Sequence, residues 1–208
     1  MVTRHWSLAA LLLTGAPLAA QTPAAATAAA PRSAPITDVR YEVTFNTQTA
    51  ATSELAIRMT FRTAGREPVL LSIPAWTPGA YEISNFARKV TDFEATAGSQ
   101  ALDWDKLDFD TWRVQPTAAQ TVSVAFTTRA DSMDNAMSWA RPDFVLFNGT
   151  NVFPYAEGRP FEFAARVVVH TEADWSVATG MTPAGAPREY TAGDFHDLVD
   201  MPFFVGRL

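Results

Sequence analysis

Residues 55–62 read LAIRMTFR, and this stretch decides the fold class. Four apolar residues, Leu55, Ile57, Met59 and Phe61, alternate with residues that are small, polar or charged. A period of two over five or more residues is typical of a β-strand with one buried face. The stretch therefore predicts a strand that turns these four side chains toward a core.

The same alternation recurs along the chain, and turn residues separate the repeats. It is found at 41–46, 122–127 and 161–169, and shorter apolar runs that suit strands lie at 69–73, 90–95, 111–114 and 144–147. Residues 84–90 could form about one helical turn, and no longer helical period is found. Many short strands separated by turns predict an all-β chain, an antiparallel β-sandwich-like domain.

The amino-terminal residues have a different composition. Residues 1–20 contain a basic residue, the apolar run Leu8–Leu13 and then small residues, which is the order found in a secretory signal peptide cleaved after Ala20. The apolar run is shorter than the ~20 residues that a membrane span needs. Residues 21–35 are rich in Ala, Pro and Thr and predict a flexible leader. We therefore expect a folded domain over residues 36–208, with no membrane span after signal cleavage.

Charge and cysteine content narrow the function classes. The net charge is −6, the basic residues are scattered, and only Lys89 and Lys106 are lysines, so nucleic acid is not an expected partner. The chain has no Cys, which excludes disulfides and thiolate metal sites. Together with the predicted signal peptide, this composition suggests an exported bacterial protein, either periplasmic or secreted.

Residues able to do chemistry are few and widely spaced. His5 lies in the predicted signal peptide, His170 is expected to face outward at a strand end, and His196 stands alone, so the H-E-x-x-H zinc-peptidase motif is absent. Residues 103–110, DWDKLDFD, lack the Gly and Glu of a calcium loop and predict a hairpin with solvated Asp side chains. Asn148-Gly149 predicts a tight turn, since both residue types tolerate positive φ. No catalytic constellation is recognisable.

Several segments nevertheless resemble a known family. PAWTPGAY at 74–81, FNGTNVFPY at 147–155 and Asp200-Met-Pro resemble, in order and spacing, the N-terminal domain of the glycyl aminopeptidase family, which are secreted zinc metallopeptidases. The resemblance covers roughly residues 36–208 and implies a β domain that precedes a catalytic domain, with the zinc ligands and the catalytic Glu in that second domain. This sequence reaches Leu208 before any such segment, so we expect a truncated C-terminal end, no catalytic or metal-binding residue, and no cofactor in this chain.

Two segments supply candidate contact residues. Pro and Gly stiffen the 74–86 segment, so its aromatic side chains either fill one end of the sandwich or form a surface that docks a neighbouring domain or contacts substrate. The 144–155 segment is very apolar for a hairpin tip and would be covered, or would line a cleft, in a larger enzyme. The candidates are Trp76, Pro78, Gly79, Tyr81 and Phe86 from the first segment, and Arg141, Asn148, Asn151 and Tyr155 from or beside the second.

Three functions remain open at this point. The first is a non-catalytic N-terminal β domain that packs against a zinc peptidase domain, in cis in a full-length enzyme, and helps to shape its cleft for a peptide substrate. The second is a stand-alone exported β-sandwich that binds a peptide, a glycan or a periplasmic partner. The third is a small hydrolase whose site is built from Asp residues, His170 and His196. Fold alone does not choose among them, because sandwiches host many functions.

Overall fold

A computed structural model describes residues 30–133 and 138–207. The predicted signal peptide and most of the predicted leader lie outside these described residues. Within them, no helix combines the length and the apolar character that crossing a membrane requires.

Strands make up most of the described chain. In chain order they are β1 Ile36–Thr44, β2 Glu54–Thr63, β3 Val69–Ser72, β4 Val90–Ala97, β5 Gln100–Ala101, β6 Trp104–Lys106, β7 Thr111–Val114, β8 Thr121–Arg129, β9 Asp131–Ser132, β10 Ser138–Arg141, β11 Phe144–Phe147, β12 Tyr155–Ala156, β13 Ala165–His170, β14 Ser176–Thr179, β15 Thr182–Pro183, β16 Glu189–Ala192 and β17 Phe203–Gly206. The helices are α1 Thr47–Ala50 and α2 Phe195–Asp200, with 3₁₀ helices at Phe86–Lys89 and Gly149–Asn151.

The strands form three sheets. An eight-stranded sheet has the order β15-β16-β13-β1-β2-β8-β4-β5, a five-stranded sheet the order β14-β17-β11-β10-β9, and a four-stranded sheet the order β12-β3-β7-β6. Within the described residues every pair is antiparallel except β1 with β13, where Val39 lies opposite Ala165 in a parallel register. The predicted all-β, mainly antiparallel sandwich-like class is confirmed.

The alternating patterns predict correctly which side chains reach the core. Leu55, Ile57, Met59 and Phe61 of β2 are all buried, and Ile57 lies opposite Phe126 of β8. Buried side chains from all three sheets join in one cluster. The 103–110 segment is the predicted hairpin, because β6 pairs antiparallel with β7.

The fourth alternating stretch is only partly a strand. The strand predicted from residue 161 begins at Ala165, so the prediction is wrong for residues 161–164. The rings of Phe161 and Phe163 pack instead against Phe195 of α2, with centroids 5.3 Å and 5.8 Å away. Helix α2, which the sequence pattern did not reveal, thus shields both side chains from part of the solvent.

The packed structure also begins before the expected start at Ile36. Ser33 and Ala34 are buried, and their backbone N–H groups donate to the carbonyls of Glu157 and Pro68, both at 2.9 Å. The Ser33 hydroxyl accepts the N–H of Leu70 of β3 at 3.0 Å. Residues 33 and 34 therefore belong to the folded body rather than to a flexible leader.

Candidate functional site

The segment after β3 forms a loop that is closed at its neck. The carbonyl of Ala75 accepts the backbone N–H groups of both Ser84, at 2.9 Å, and Asn85, at 2.8 Å. Inside the loop, the buried Thr77 hydroxyl bonds to the hydroxyl of Thr150, which lies in the second 3₁₀ helix. We call residues 75–84 the neck-closed loop. It is held at its neck by the Ala75 carbonyl and inside by the bond between Thr77 and Thr150.

This loop presents large apolar side chains to solvent. The exposed fractions are 50% for Trp76, 96% for Tyr81 and 69% for Ile83. Gly79 adopts φ +88°, which suits a residue without Cβ, and Tyr81 adopts φ +56°, which is uncommon for a bulky residue. Exposed apolar side chains of this size, one of them with an uncommon backbone angle, make the loop a candidate contact surface.

The predicted contact residues of this segment fall into two groups. Trp76, Pro78, Gly79 and Tyr81 are exposed, as a contact surface requires. The prediction that Phe86 is a contact residue is wrong, because its side chain is 2% exposed and belongs to the core. It anchors the 3₁₀ helix that follows the loop and is not available to a partner.

Asn148 begins the second 3₁₀ helix, and the predicted tight turn is wrong. Its φ is −97°, in the extended region, and its Oδ1 accepts the N–H of Thr150 at 3.0 Å and the Thr150 hydroxyl at 2.9 Å. A side chain at the start of a helix accepts hydrogen bonds from the first backbone N–H groups, and this capping geometry differs from that of a two-residue turn. Asn148 and Asn151 are both buried, so their first role is to build this end of the molecule.

Tyr155 and Arg141 lie on strands β12 and β10, outside the neck-closed loop. Tyr155, on β12, is half-buried between Phe161 and Phe195, each with a ring centroid 5.2 Å away. Burial, followed by the charge of Glu157, raises the pKa of the Tyr155 hydroxyl well above its ordinary value. Arg141 ends β10, where its guanidinium lies 4.8 Å from the centre of the Trp139 ring.

A cleft of about 300 Å³ opens beside the neck-closed loop. Its walls come from three segments that are distant in sequence: Thr77, Pro78, Asn148, His196, Asp197, Val199 and Asp200. Of the nine predicted contact residues, Pro78 and Asn148 line it, and His196 of the alternative hydrolase site lines it as well. Two of the lining residues, Asp197 and Asp200, carry carboxylates.

Helix α2 supplies most of this wall, and the sequence patterns missed it. The Oδ1 of Asp194 accepts the N–H of Asp197 at 2.8 Å, which caps the helix. Leu198 and Phe195 bury its inner side. Six residues are too few for a helical period, but an Asp directly before apolar Phe195 and Leu198 is a capping signal that could have indicated it.

The part of the chain that the structure describes contains no cluster of metal-binding side chains. Across residues 30–133 and 138–207, no group of three or more His, Cys, Asp or Glu side chains is arranged to hold a metal ion. A zinc ion of the kind used by metallopeptidases therefore has no set of ligands among the described residues. The chemical groups at this end are exposed apolar side chains of the loop and the two carboxylates of the cleft.

The described residues form an all-β domain with an exposed aromatic loop, and a family comparison identifies its class. A family model described as the Peptidase M61 N-terminal domain matches residues 40–207. The chain belongs to this family, which confirms the resemblance noted in the sequence. A comparison with curated proteins gave no match.

A solved structure has the same fold. An aminopeptidase N family protein from Idiomarina loihiensis superposes with a TM-score of 0.71 at 21% identity, covering 81% of this chain and 29% of that one. The present chain thus spans less than a third of that protein. An M1 zinc metallopeptidase from Deinococcus radiodurans has a TM-score of 0.47 at 12% identity, covering 82% of this chain and 42% of that one. A TM-score below 0.5 does not establish a common fold for these two chains.

Proposed function

We propose that this chain is a non-catalytic N-terminal domain that packs against a zinc peptidase domain and forms one wall of its substrate cleft. The observation that carries the proposal is the neck-closed loop, which holds Trp76, Tyr81 and Ile83 in solvent on a fixed base. The zinc ion and its ligands belong, in this proposal, to the peptidase domain. Export to the periplasm or beyond is part of the same proposal.

Rigidity is the physical reason why this loop suits a docking or cleft-forming role. Aromatic side chains on a fixed backbone lose little conformational freedom on contact, so more of the apolar contact energy remains as affinity. The cleft beside the loop adds the carboxylates of Asp197 and Asp200. Negative charge at this end favours a peptide substrate that presents its amino-terminal ammonium group.

The first test asks whether the chain alone is catalytic. The purified chain is expected to hydrolyse no aminoacyl p-nitroanilide, with or without added zinc, because its described residues provide no metal-binding group. Zinc-dependent turnover by the isolated chain would contradict the proposal. Tight binding of a glycan by an isolated monomer would favour the stand-alone binding module instead.

The second test places the chain beside a peptidase domain. A chimera replaces the matching part of the Idiomarina loihiensis protein with this chain, and its aminoacyl p-nitroanilide hydrolysis is measured. The double variant Trp76→Ser/Ile83→Ser is expected to lower kcat/KM at least tenfold, since it removes the apolar wall. The matched control is Trp104→Ser, which changes another exposed Trp on β6 and is expected to stay within twofold. Equal rates for the loop variant and the control would contradict a cleft-forming role.

A further inference from the structure

The outer face of the five-stranded sheet carries an apolar row. Cross-strand register places Ala178 of β14 opposite Phe204 of β17, Phe204 opposite Leu146 of β11, and Leu146 opposite Trp139 of β10. Residues directly opposite one another point to the same face of a sheet. At about 4.8 Å between strands, the row runs roughly 15 Å across the sheet.

Alternation shows that this row faces away from the core. Its neighbours in sequence, Val145, Phe147, Phe203 and Val205, are buried in the core cluster. Phe204, Leu146 and Trp139 are half-buried, and Ala178 is exposed.

The rings on this face also contact one another. Phe144 stacks on Phe204 at 5.3 Å and meets Trp139 edge-on at 5.2 Å. The face is therefore apolar, and its aromatic rings are packed against one another within this chain.

Polar groups surround this apolar centre. Arg141 lies above Trp139 at one side, and the exposed Asp131 continues the row beyond Trp139. At another side Arg207 and Asp174 approach to 3.4 Å. An apolar centre with a charged rim is the usual anatomy of a protein interface.

The eight-stranded sheet has an outer face of a different kind. Glu189 receives Arg166 at 2.9 Å and Arg40 at 3.4 Å, and Arg40 also pairs with Glu42. Ion-paired and hydrogen-bonded side chains of this sort are typical of a solvated face. The two outer faces thus differ in chemistry, and only the five-stranded one is apolar across several strands.

We propose that the outer face of the five-stranded sheet is the surface on which the peptidase domain packs. This inference rests on the proposed function and names the face that makes the contact. The family match ends at residue 207, directly after β17, and β17 is paired on both sides in this sheet. In a longer family member, a domain that follows β17 starts within a few residues of Phe204, which belongs to the apolar row.

Thiol labelling tests the inference, because the chain has no Cys of its own. Ala178→Cys places one thiol in the row with little change in volume, and Arg141→Cys places one at its rim. The matched control is Ala125→Cys, on the outer face of β8 in the eight-stranded sheet, where Ala125 lies opposite Arg58. Maleimide labelling rates are compared between the isolated chain and the chimera described above, and thermal melting verifies that each variant is folded.

The expected result is at least tenfold slower labelling at position 178 in the chimera than in the isolated chain, with position 125 unchanged. Equal labelling in a chimera that is active would overturn this inference and leave the proposed function standing. Protection in a chimera that is inactive would support this packing face and contradict the cleft-forming role. Concentration-dependent protection in the isolated chain would assign the face to a second copy and overturn the choice of partner.

Discussion

Gly149 lies where α2 passes closest to the second 3₁₀ helix. A Cβ at this position would meet the carbonyl oxygen of Leu198 at 2.7 Å and the Cα of Val199 at 2.9 Å, both backbone atoms. We predict that Gly149→Ala lowers the free energy of unfolding by about 1–3 kcal/mol, because one element must move to admit the methyl group. Urea unfolding followed by circular dichroism measures the change.

The matched control for that substitution is Gly65→Ala. A Cβ at Gly65 would meet no atom within 4 Å, and the residue needs no positive φ. Its substitution is expected to leave the unfolding free energy unchanged or to raise it by up to about 1 kcal/mol, through the stiffer unfolded chain. Equal losses for the two variants would show that the contact with α2 is not the cause.

The same residue shows a limit of sequence interpretation. Asn-Gly predicted a tight turn, whereas the structure has a helix cap followed by a 3₁₀ helix. Asn148 is there as a buried helix cap, and Gly149 is there because α2 approaches. A close approach between segments almost fifty residues apart leaves no local pattern, so turn propensity was the only signal that could be used.

Among the strands, the period of two predicted well which face is buried. It did not predict which strands pair with one another. The alternation in β1, β2 and β8 matches the burial found in the structure. Neither the division into three sheets nor the parallel pairing of β1 with β13 follows from alternation, because the period states which face is apolar and not which strand lies alongside.

The candidate contact residues show the same division between local and tertiary information. The stiffness and aromatic content of the 74–86 segment were visible in the sequence. Which rings are exposed was not visible, because Phe86 and Tyr81 are both aromatic residues of one segment and only the folded chain buries the first and exposes the second.

The parallel pairing of β1 and β13 brings Glu42 and His170 together. The Glu42 carboxylate accepts from Arg40 at 3.2 Å and lies 3.1 Å from His170 Nε2. Burial alone would raise the pKa of Glu42, but the hydrogen bonds from His170 and Arg40 outweigh it, and the pKa is lowered. A carboxyl with a lowered folded-state pKa stabilises the fold above its unfolded pKa, and this stabilisation is lost as the pH falls through the folded value.

We therefore predict that Glu42→Gln flattens the acid limb of the stability profile. The parent chain should lose more unfolding free energy than the variant as the pH falls from neutrality through the range where Glu titrates. Urea midpoints measured across that range give the comparison. Glu67→Gln, at an exposed position, is the control and is expected to follow the parent. Parallel curves for the parent and Glu42→Gln would contradict the role of this pair.

At the scale of the whole molecule, one core holds the three sheets together. Tyr41 of the eight-stranded sheet contacts the Phe153 ring at 4.8 Å and donates its hydroxyl proton to the carbonyl of Pro154 at 2.6 Å. These contacts join the large sheet to the segment that lies between the second 3₁₀ helix and β12. The loop, the cleft and the five-stranded sheet are consequently positioned by the same core rather than by separate units.

Phe203 tests this unity, because its ring lies between sheets. It stacks on Phe147 at 4.9 Å within the five-stranded sheet and meets Tyr190 of β16 edge-on at 5.9 Å. Phe203→Ala is expected to lower the unfolding free energy by about 3–5 kcal/mol, since a fully buried ring is removed. Urea unfolding is followed both by far-ultraviolet circular dichroism, which reports all strands, and by the fluorescence of the Trp residues.

If the core is one cooperative unit, both signals shift to the same lower midpoint and remain superimposable in the variant. Phe204→Ala is the control: it changes the adjacent residue on the outer face, which is half-buried and outside the core cluster, and a smaller loss is expected. Separate transitions for the two signals would mean that the five-stranded sheet unfolds on its own. In that case the neck-closed loop and the proposed packing face would be held by different units and could not act as one rigid support for a peptidase domain.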